Sequence, residues 1–255
     1  ALVTGASSGL GKIFAQRMDE MPEVSEIWLV ARREQRLEAL SQALKTPCRV
    51  FPLDLTGDLC PIKEALQEPS VHVQYLVNAA GYGKIGQLGE VALEDNVGMI
   101  ELNCAALVEL TQLTLPYLNR GAIVYNVASV AAFLPQPEFA VYAASKAFVR
   151  SFSLAIGEEL AFRGKEIQVI AICPNPMETE FFYIASGGVQ KKAKTIKKIG
   201  VEDAEEVVDT AISRAERGRS QSINSIYPKL IHFASRIFPW NFILWFERKF
   251  LGLFK

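Results

Sequence analysis

The chain opens Leu2-Val3-Thr4-Gly5-Ala6-Ser7-Ser8-Gly9-Leu10-Gly11, a short apolar run, then a glycine-rich turn, then residues at helical spacing. Little else constrains the fold so strongly. A strand passing through a tight turn straight into a helix needs glycine where φ becomes positive or where backbone must approach backbone or ligand closely. The helix that follows, predicted over Gly11–Met21, aims its free N–H groups and the positive end of its dipole back at the turn. That is where a pyrophosphate binds well. A lone glycine cluster says little, but one between strand and helix at the head of a βαβ unit says more.

The rest of the chain continues that alternation. Strands are expected at Ala1–Thr4, Glu26–Ala31, Cys48–Pro52, Tyr75–Asn78, Ala122–Asn126, Gln168–Cys173 and Ser222–Ile226. Helices are expected at Gly11–Met21, Arg33–Leu44, Pro61–Gln67, Leu93–Leu115, Ala140–Ala161 and Ala204–Arg217. Runs such as Ile123-Val124-Tyr125-Asn126-Val127 are apolar enough to be buried from both sides. The implied fold class is α/β, a single-domain Rossmann-type doubly wound parallel sheet with helices on both faces. The 255 residues contain no repeat and no linker rich in Pro, Gly or Ser, so one domain spanning 1–255 is expected.

Composition narrows the partners. The formal charge of −1 offers no global attraction to nucleic acid, and none is expected as a partner. His72 and His232 have no metal-ligand company, so no metal site is expected. Cys48, Cys60, Cys104 and Cys173 are scattered. Cys104 and Cys173 sit in apolar runs and read as reduced core residues, which suits a cytoplasmic location.

The residues with chemistry to offer are Ser129 and, after twelve intervening residues, Tyr142-Ala143-Ala144-Ser145-Lys146. Tyr142 and Lys146 are four apart, so on a helix they share a face. A phenol titrates near 10, and an ammonium held beside it favours the phenolate and lowers that value. Ser129 adds a hydroxyl that can bond the oxygen of a reacting alcohol or carbonyl. The three form a proton-transfer set for an oxygen whose carbon exchanges hydride. A Tyr-x-x-x-Lys pair also arises by chance on amphipathic helices, so its weight comes from its company.

That company is Thr4-Gly5-Ala6-Ser7-Ser8-Gly9-Leu10-Gly11, Asn78-Ala79-Ala80-Gly81, Asn103, Ser129 and Tyr142-Ala143-Ala144-Ser145-Lys146. Together these resemble the short-chain dehydrogenase/reductase family, from residue 1 to about Thr179. The resemblance implies an NADP(H)-dependent oxidoreductase acting on CH–OH groups. Tyr142 would be the acid or base, Lys146 would tune it and hold the nicotinamide ribose, and Ser129 would polarise the substrate oxygen. Asn103 would hold a water that links the lysine to solvent, although a kinked helix could use the same amide. The cofactor contacts implied are Gly5, Ser7, Ser8, Gly9, Leu10, Gly11, Asp54, Leu55, Asn78, Ala79, Gly81, Tyr142, Lys146, Pro174, Met177 and Thr179. Asp54 could equally cap the next turn, and Asn78 could equally tie neighbouring strands. Asn175 stands where the family has glycine. It is tolerated because asparagine is the next best residue at positive φ. Homodimers or homotetramers, formed through the long helices, are also implied.

Cofactor choice is read at the end of the second strand, Trp28-Leu29-Val30-Ala31-Arg32-Arg33. NAD sites place a carboxylate here to accept the ribose 2′-hydroxyl. Ala31 offers none, while Arg32 and Arg33 can fork onto a 2′-phosphate. NADP(H) is therefore expected, with a solvated helix start as the other use of two arginines.

Beyond residue 180 the chain is read from its own chemistry. Phe181-Phe182-Tyr183-Ile184-Ala185-Ser186-Gly187-Gly188 reads as an apolar flap or a packed loop, and Lys191–Lys198 as a solvated basic helix face or an acid-binding one. The aromatic stretch Leu230–Leu251, divided by Pro239, is too interrupted by charge to span a bilayer. Packing on the core or a second subunit is the expected use, with a pocket roof or membrane-surface contact as alternatives. The expected substrate is a small apolar carbonyl or alcohol, a hydroxysteroid or similar compound. A 3-oxoacyl chain is an alternative, as is a catalytically silent NADP(H)-binding sensor or scaffold.

Overall fold

The computed structural model describes residues 1–177, 180–185, 201–246 and 249. Strand and helix alternate through β1 (Leu2–Thr4), α1 (Gly9–Met18), β2 (Ile27–Ala31), α2 (Glu34–Ala43), β3 (Cys48–Pro52), α3 (Cys60–Leu66) and β4 (Val73–Asn78). Then come α4 (Leu93–Ile100), a π-helical segment (Glu101–Ala105), α5 (Ala106–Thr114), β5 (Leu118–Val127), α6 (Ala140–Phe162) and β6 (Ile167–Ile172). The described chain closes with α7 (Glu180–Ala185), α8 (Ala204–Glu216), β7 (Gln221–Ser222), α9 (Ile226–Ile237) and α10 (Trp240–Phe246).

The strands form one seven-stranded parallel sheet in the order β3-β2-β1-β4-β5-β6-β7. Its strands show why they read as continuous apolar runs. Val3, Leu29, Val77, Tyr125 and Ile170 face a core made by Phe14 and Met18 of α1, Leu37 and Leu40 of α2, and Val207, Val208 and Ala211 of α8. Their neighbours Leu2, Trp28, Val30, Leu76, Val124 and Val169 face the opposite core, built on Ile62, Leu66, Leu110 and Leu160 of α3, α5 and α6. With a period of two and both faces covered, both side-chain sets are apolar.

The order reverses between β1 and β4, and that junction is where an open α/β sheet holds its ligand, beyond the carboxyl ends of the strands. Thr4 fastens it: its Oγ1 donates to the Val77 carbonyl at 3.1 Å and accepts from the Ala79 and Ala80 N–H groups at 3.0 and 3.1 Å.

Two expectations are corrected. The helix expected over Leu93–Leu115 is not uniform, because Glu101–Ala105 widens into a π turn between α4 and α5. The seventh strand is Gln221–Ser222 and not Ser222–Ile226; Ser225 precedes the start of α9, so the apolar residues beyond it belong to a helix. Cys104 and Cys173 are buried free thiols.

Candidate active site

One large cavity, about 1140 Å³, opens beyond the carboxyl ends of the strands. Of the residues expected at the site, Gly5, Ser7, Ser8, Gly9, Leu10, Arg32, Arg33, Asp54, Leu55, Ala79, Gly81, Ser129, Tyr142, Lys146, Pro174 and Met177 line it. Gly11, Asn78 and Asn103 do not, and Thr179 lies outside the described residues, as do the expected glycine hinge (186–188) and basic stretch (191–198).

The glycine turn is built as its sequence demands. Gly5 and Gly9 have φ of 65° and 53°, in the region that side chains resist. Gly11 serves packing: a Cβ there would lie 2.5 Å from the Gly5 carbonyl oxygen and 2.7 Å from that of Thr4. The turn and α1 thereby bring Ser7, Ser8 and the first N–H groups of the helix to the cavity wall. This cradle suits a dinucleotide pyrophosphate.

Ser129 sits at the end of β5 and accepts the Ala131 N–H at 3.1 Å. Tyr142 and Lys146 rise from the first turns of α6, both buried. Lys146 Nζ donates to the Val127 carbonyl at 2.7 Å and lies 5.8 Å from the centre of the Tyr142 ring. The sequence led us to expect an acidified phenol; the structure corrects this. Burial pushes Tyr142 up to about 12, with a hydrogen bond to Ser129 pulling the other way. Burial likewise brings Lys146 down to about 8. In so enclosed a place, desolvation is the dominant influence on both groups.

Asn103 occupies the π segment. Its amide donates to the Tyr82 carbonyl and to Ser145 Oγ, both at 3.0 Å, and its oxygen accepts the Tyr82 N–H at 3.0 Å. This is the use by a kinked helix that the sequence also allowed: its side-chain polar atoms fasten the Gly81–Gly83 loop to α6. Gly81 is the point of convergence, since a Cβ there would stand 2.8 Å from Asn103 Oδ1 and 3.3 Å from Lys146 Nζ. Asn78 takes the strand-tying use that the sequence also allowed. Its amide donates to Thr111 Oγ1 at 3.1 Å and Asn126 Oδ1 at 2.8 Å, an inward tie between β4, α5 and β5.

At the other end of the cavity, Arg32 is exposed and lies 3.6 Å from Asp54. Asp54 Oδ1 accepts from the Thr56 N–H and hydroxyl at 3.0 and 2.8 Å, the turn-capping use of that carboxylate, and it is held below its ordinary range mainly by that N–H. Arg33 reaches back over the glycine turn, donating to Ser8 Oγ at 2.6 Å and Ser7 Oγ at 2.9 Å. Asn175 needs no positive φ; the described non-glycine residue with that conformation is Glu138, so the glycine-like turn expected at 175 is not formed. Instead the Asn175 N–H is held by buried Glu202 at 2.9 Å.

Some site features were not anticipated. Phe139 stacks on Tyr142 at 4.2 Å and Phe181 of α7 packs on it at 5.3 Å, so the phenol is covered by aromatic rings. Gly83 makes this possible, since a Cβ there would lie 2.9 Å from both rings. The spacing Gly81-Tyr82-Gly83 was the available signal. Lys84 and Asp95, 3.4 Å apart, also line the cavity. So do Leu230, Ile231, Ala234, Phe238, Phe242 and Ile243 of the aromatic C-terminal stretch.

The sequence matches the short chain dehydrogenase family over residues 1–186. It is 34% identical to the serine 3-dehydrogenase of Rhizobium radiobacter over 233 residues, 88% of this chain and 91% of that protein. In structure it resembles a short-chain dehydrogenase from Sphingobium yanoikuyae in complex with NADPH (28% identity, TM-score 0.76, 98% of this chain and 94% of the other). It also resembles the bulky-bulky ketone specific alcohol dehydrogenase from Comamonas testosteroni (25% identity, TM-score 0.72, 100% of this chain and 94% of the other).

A parallel sheet with a glycine turn at its switch point defines a Rossmann-type nucleotide-binding fold. The chain belongs to the short-chain dehydrogenase family, and it is an enzyme of alcohol and carbonyl groups that works with a nicotinamide cofactor.

Proposed function

We propose that this protein is an NADPH-dependent carbonyl reductase, or the reverse secondary-alcohol dehydrogenase, for a bulky apolar substrate of steroid-like dimensions. The observation that carries this reading is the convergence of Ser129, Tyr142 and Lys146 on a cavity of about 1140 Å³ that is lined also by Leu230, Phe238, Phe242 and Ile243. Pockets for drug-sized ligands run from roughly 300 to 1,000 Å³, so this one has room for a cofactor and a sizeable substrate. The likeness to an alcohol dehydrogenase for bulky ketones supports the same size class.

When bound, the nicotinamide supplies or accepts the hydride at the substrate carbon. Gly5, Ser7, Ser8, Gly9 and Leu10 would hold the pyrophosphate, and Arg32 and Arg33 the 2′-phosphate, with no carboxylate at Ala31 to favour NAD. Tyr142 keeps its proton at neutral pH and gives it to the substrate oxygen during reduction. Lys146, charged below about 8, stabilises the phenolate left behind. Ser129 bonds the substrate oxygen and fixes its distance from Tyr142. Phe139 and Phe181 keep water off the phenol.

The chain acts in this reading as one catalytic domain, with 180–255 giving substrate selection. Exposed Leu93, Val97 and Ile100 of α4 and Phe148 of α6 support pairing of subunits through the long helices. A screen of NADPH and NADH oxidation over steroid ketones, acyl ketones, quinones and small hydroxy-acid-derived ketones tests the proposal. Turnover confined to the small polar ketones would refute it.

A further inference from the structure

We infer that α9 and α10 form a docking face for an anionic lipid bilayer, through which the apolar substrate reaches the cavity. On α9 the large apolar residues most open to solvent are Ile226 (62%), Leu230 (55%), Phe233 (63%) and Ile237 (56%). Their spacing of four, three and four makes one stripe along the helix. Phe238, Phe242 and Trp245 continue it onto α10, all more than two-fifths exposed.

The stripe is not a core face that has failed to close. α9 is held to the body by its other side, where Ile231 packs beside Phe133 and His232 stacks on the Phe133 ring at 4.6 Å. Turning the stripe inward would break those contacts. The expectation that this stretch packs on the core is therefore met by one side of α9 only.

Charge decides what covers the outer side. In the described part of this stretch, residues 226–246 and 249, the charged side chains are Lys229, Arg236 and Lys249, all basic, a net of +3. The whole chain carries −1, which leaves −4 on the other 233 residues. A second copy seated symmetrically on this face would set that positive segment against itself. An anionic bilayer offers the opposite charge, and each basic residue near such a surface adds attraction. Lys249 lies 5.0 Å over the Trp245 ring, an aromatic and a cation placed together as at a membrane interface.

The attachment is superficial. Among the described residues no helix is long and apolar enough to cross a membrane, and amphipathic helices of this kind lie in the interface plane. The same side chains serve both surfaces, because Leu230, Phe238 and Phe242 are exposed and also line the cavity. A bilayer-dissolved ketone can thus pass from acyl chains to the cavity over apolar residues.

The test is cosedimentation of the purified chain with vesicles of phosphatidylglycerol or of phosphatidylcholine. We expect binding to phosphatidylglycerol to be about tenfold stronger and to weaken at high salt. The variant Ile226→Ser/Phe233→Ser/Ile237→Ser, at positions outside the cavity, should lose about tenfold in binding while turning over a water-soluble ketone as before. The inference is overturned if the unaltered chain pellets with neither vesicle, or if the variant pellets as well as the parent. It is also overturned if light scattering finds a dimer that the variant dissociates, in which case a second copy covers the face.

Discussion

Arg33 and Glu180 are joined at 2.8 Å, a contact that ties the end of β2 to the first residue of α7, with both partners lining the cavity. Arg36 holds the same carboxylate at 2.9 Å, and the two arginines keep Glu180 below its ordinary titration range. The pair is about two-fifths exposed, so it adds little to folding stability. On the proposed reading its significance is competitive, because there a cofactor 2′-phosphate would need the guanidinium that Glu180 now occupies.

Glu180→Gln should therefore lower the KM for NADPH by roughly three- to tenfold and leave that for NADH within about twofold. Arg33→Ala should raise the NADPH value by about tenfold or more. Steady-state kinetics with both cofactors checks this; parallel changes for NADH and NADPH would show that neither residue senses the phosphate.

Tyr142→Phe removes the proposed proton donor and leaves the aromatic stack with Phe139 and Phe181 in place. Turnover should fall by roughly 10²–10⁴-fold. Fluorescence titration should find NADPH binding nearly unchanged. Near-full activity in this variant would remove Tyr142 from the mechanism.

Lys146 sheds its proton at about 8, while Tyr142 holds its own to about 12. For reduction, kcat/KM should fall as pH rises through about 8, with no second break from the phenol below pH 10. The stability signs are opposite for the two groups. The unfolded chain holds the lysine proton up to 10.5, so between about 8 and 10.5 it binds more protons than the native state and stability rises with pH. Above 10 the native phenol keeps a proton that the unfolded chain releases, and stability falls. Urea denaturation across this range, compared with Lys146→Met, should show the rise only in the parent chain.

Gly11→Ala would drive a methyl group into the Gly5 and Thr4 backbone, neither of which can swing aside. Overpacking of this kind costs about 1–3 kcal/mol, a drop in Tm of roughly 2–10 °C for a chain of this length. Thermal melts check it, and a Tm within a degree of the parent would mean that α1 shifts freely.

The fold was largely legible because both sides of the sheet are covered, so Val3 and Leu2, or Ile170 and Val169, are apolar alike. That Tyr142 and Lys146 share a helix face was legible from their four-residue spacing, and both line the cavity with Ser129. The environment of the phenol was not: how deeply it is buried depends on Phe181, which arrives from a separate part of the chain, as well as on Phe139 three residues before it. For Asn78 and Asn103 the sequence left two uses open for a related reason. A polar residue amid apolar neighbours announces that it has partners but not which, and here the partners are Thr111, Asn126, Tyr82 and Ser145.

The widened turn at Glu101–Ala105 has a consequence for engineering and for comparing related chains. Removing one residue from it would let α4 and α5 merge into a regular helix and swing Asn103 about 100° around the axis, away from Tyr82 and Ser145. The loop carrying Gly81 and Gly83 would then lose its anchor. A one-residue gap in this helix is therefore a change of architecture beside the phenol, and it should be treated with the same caution as a substitution at Tyr142 itself.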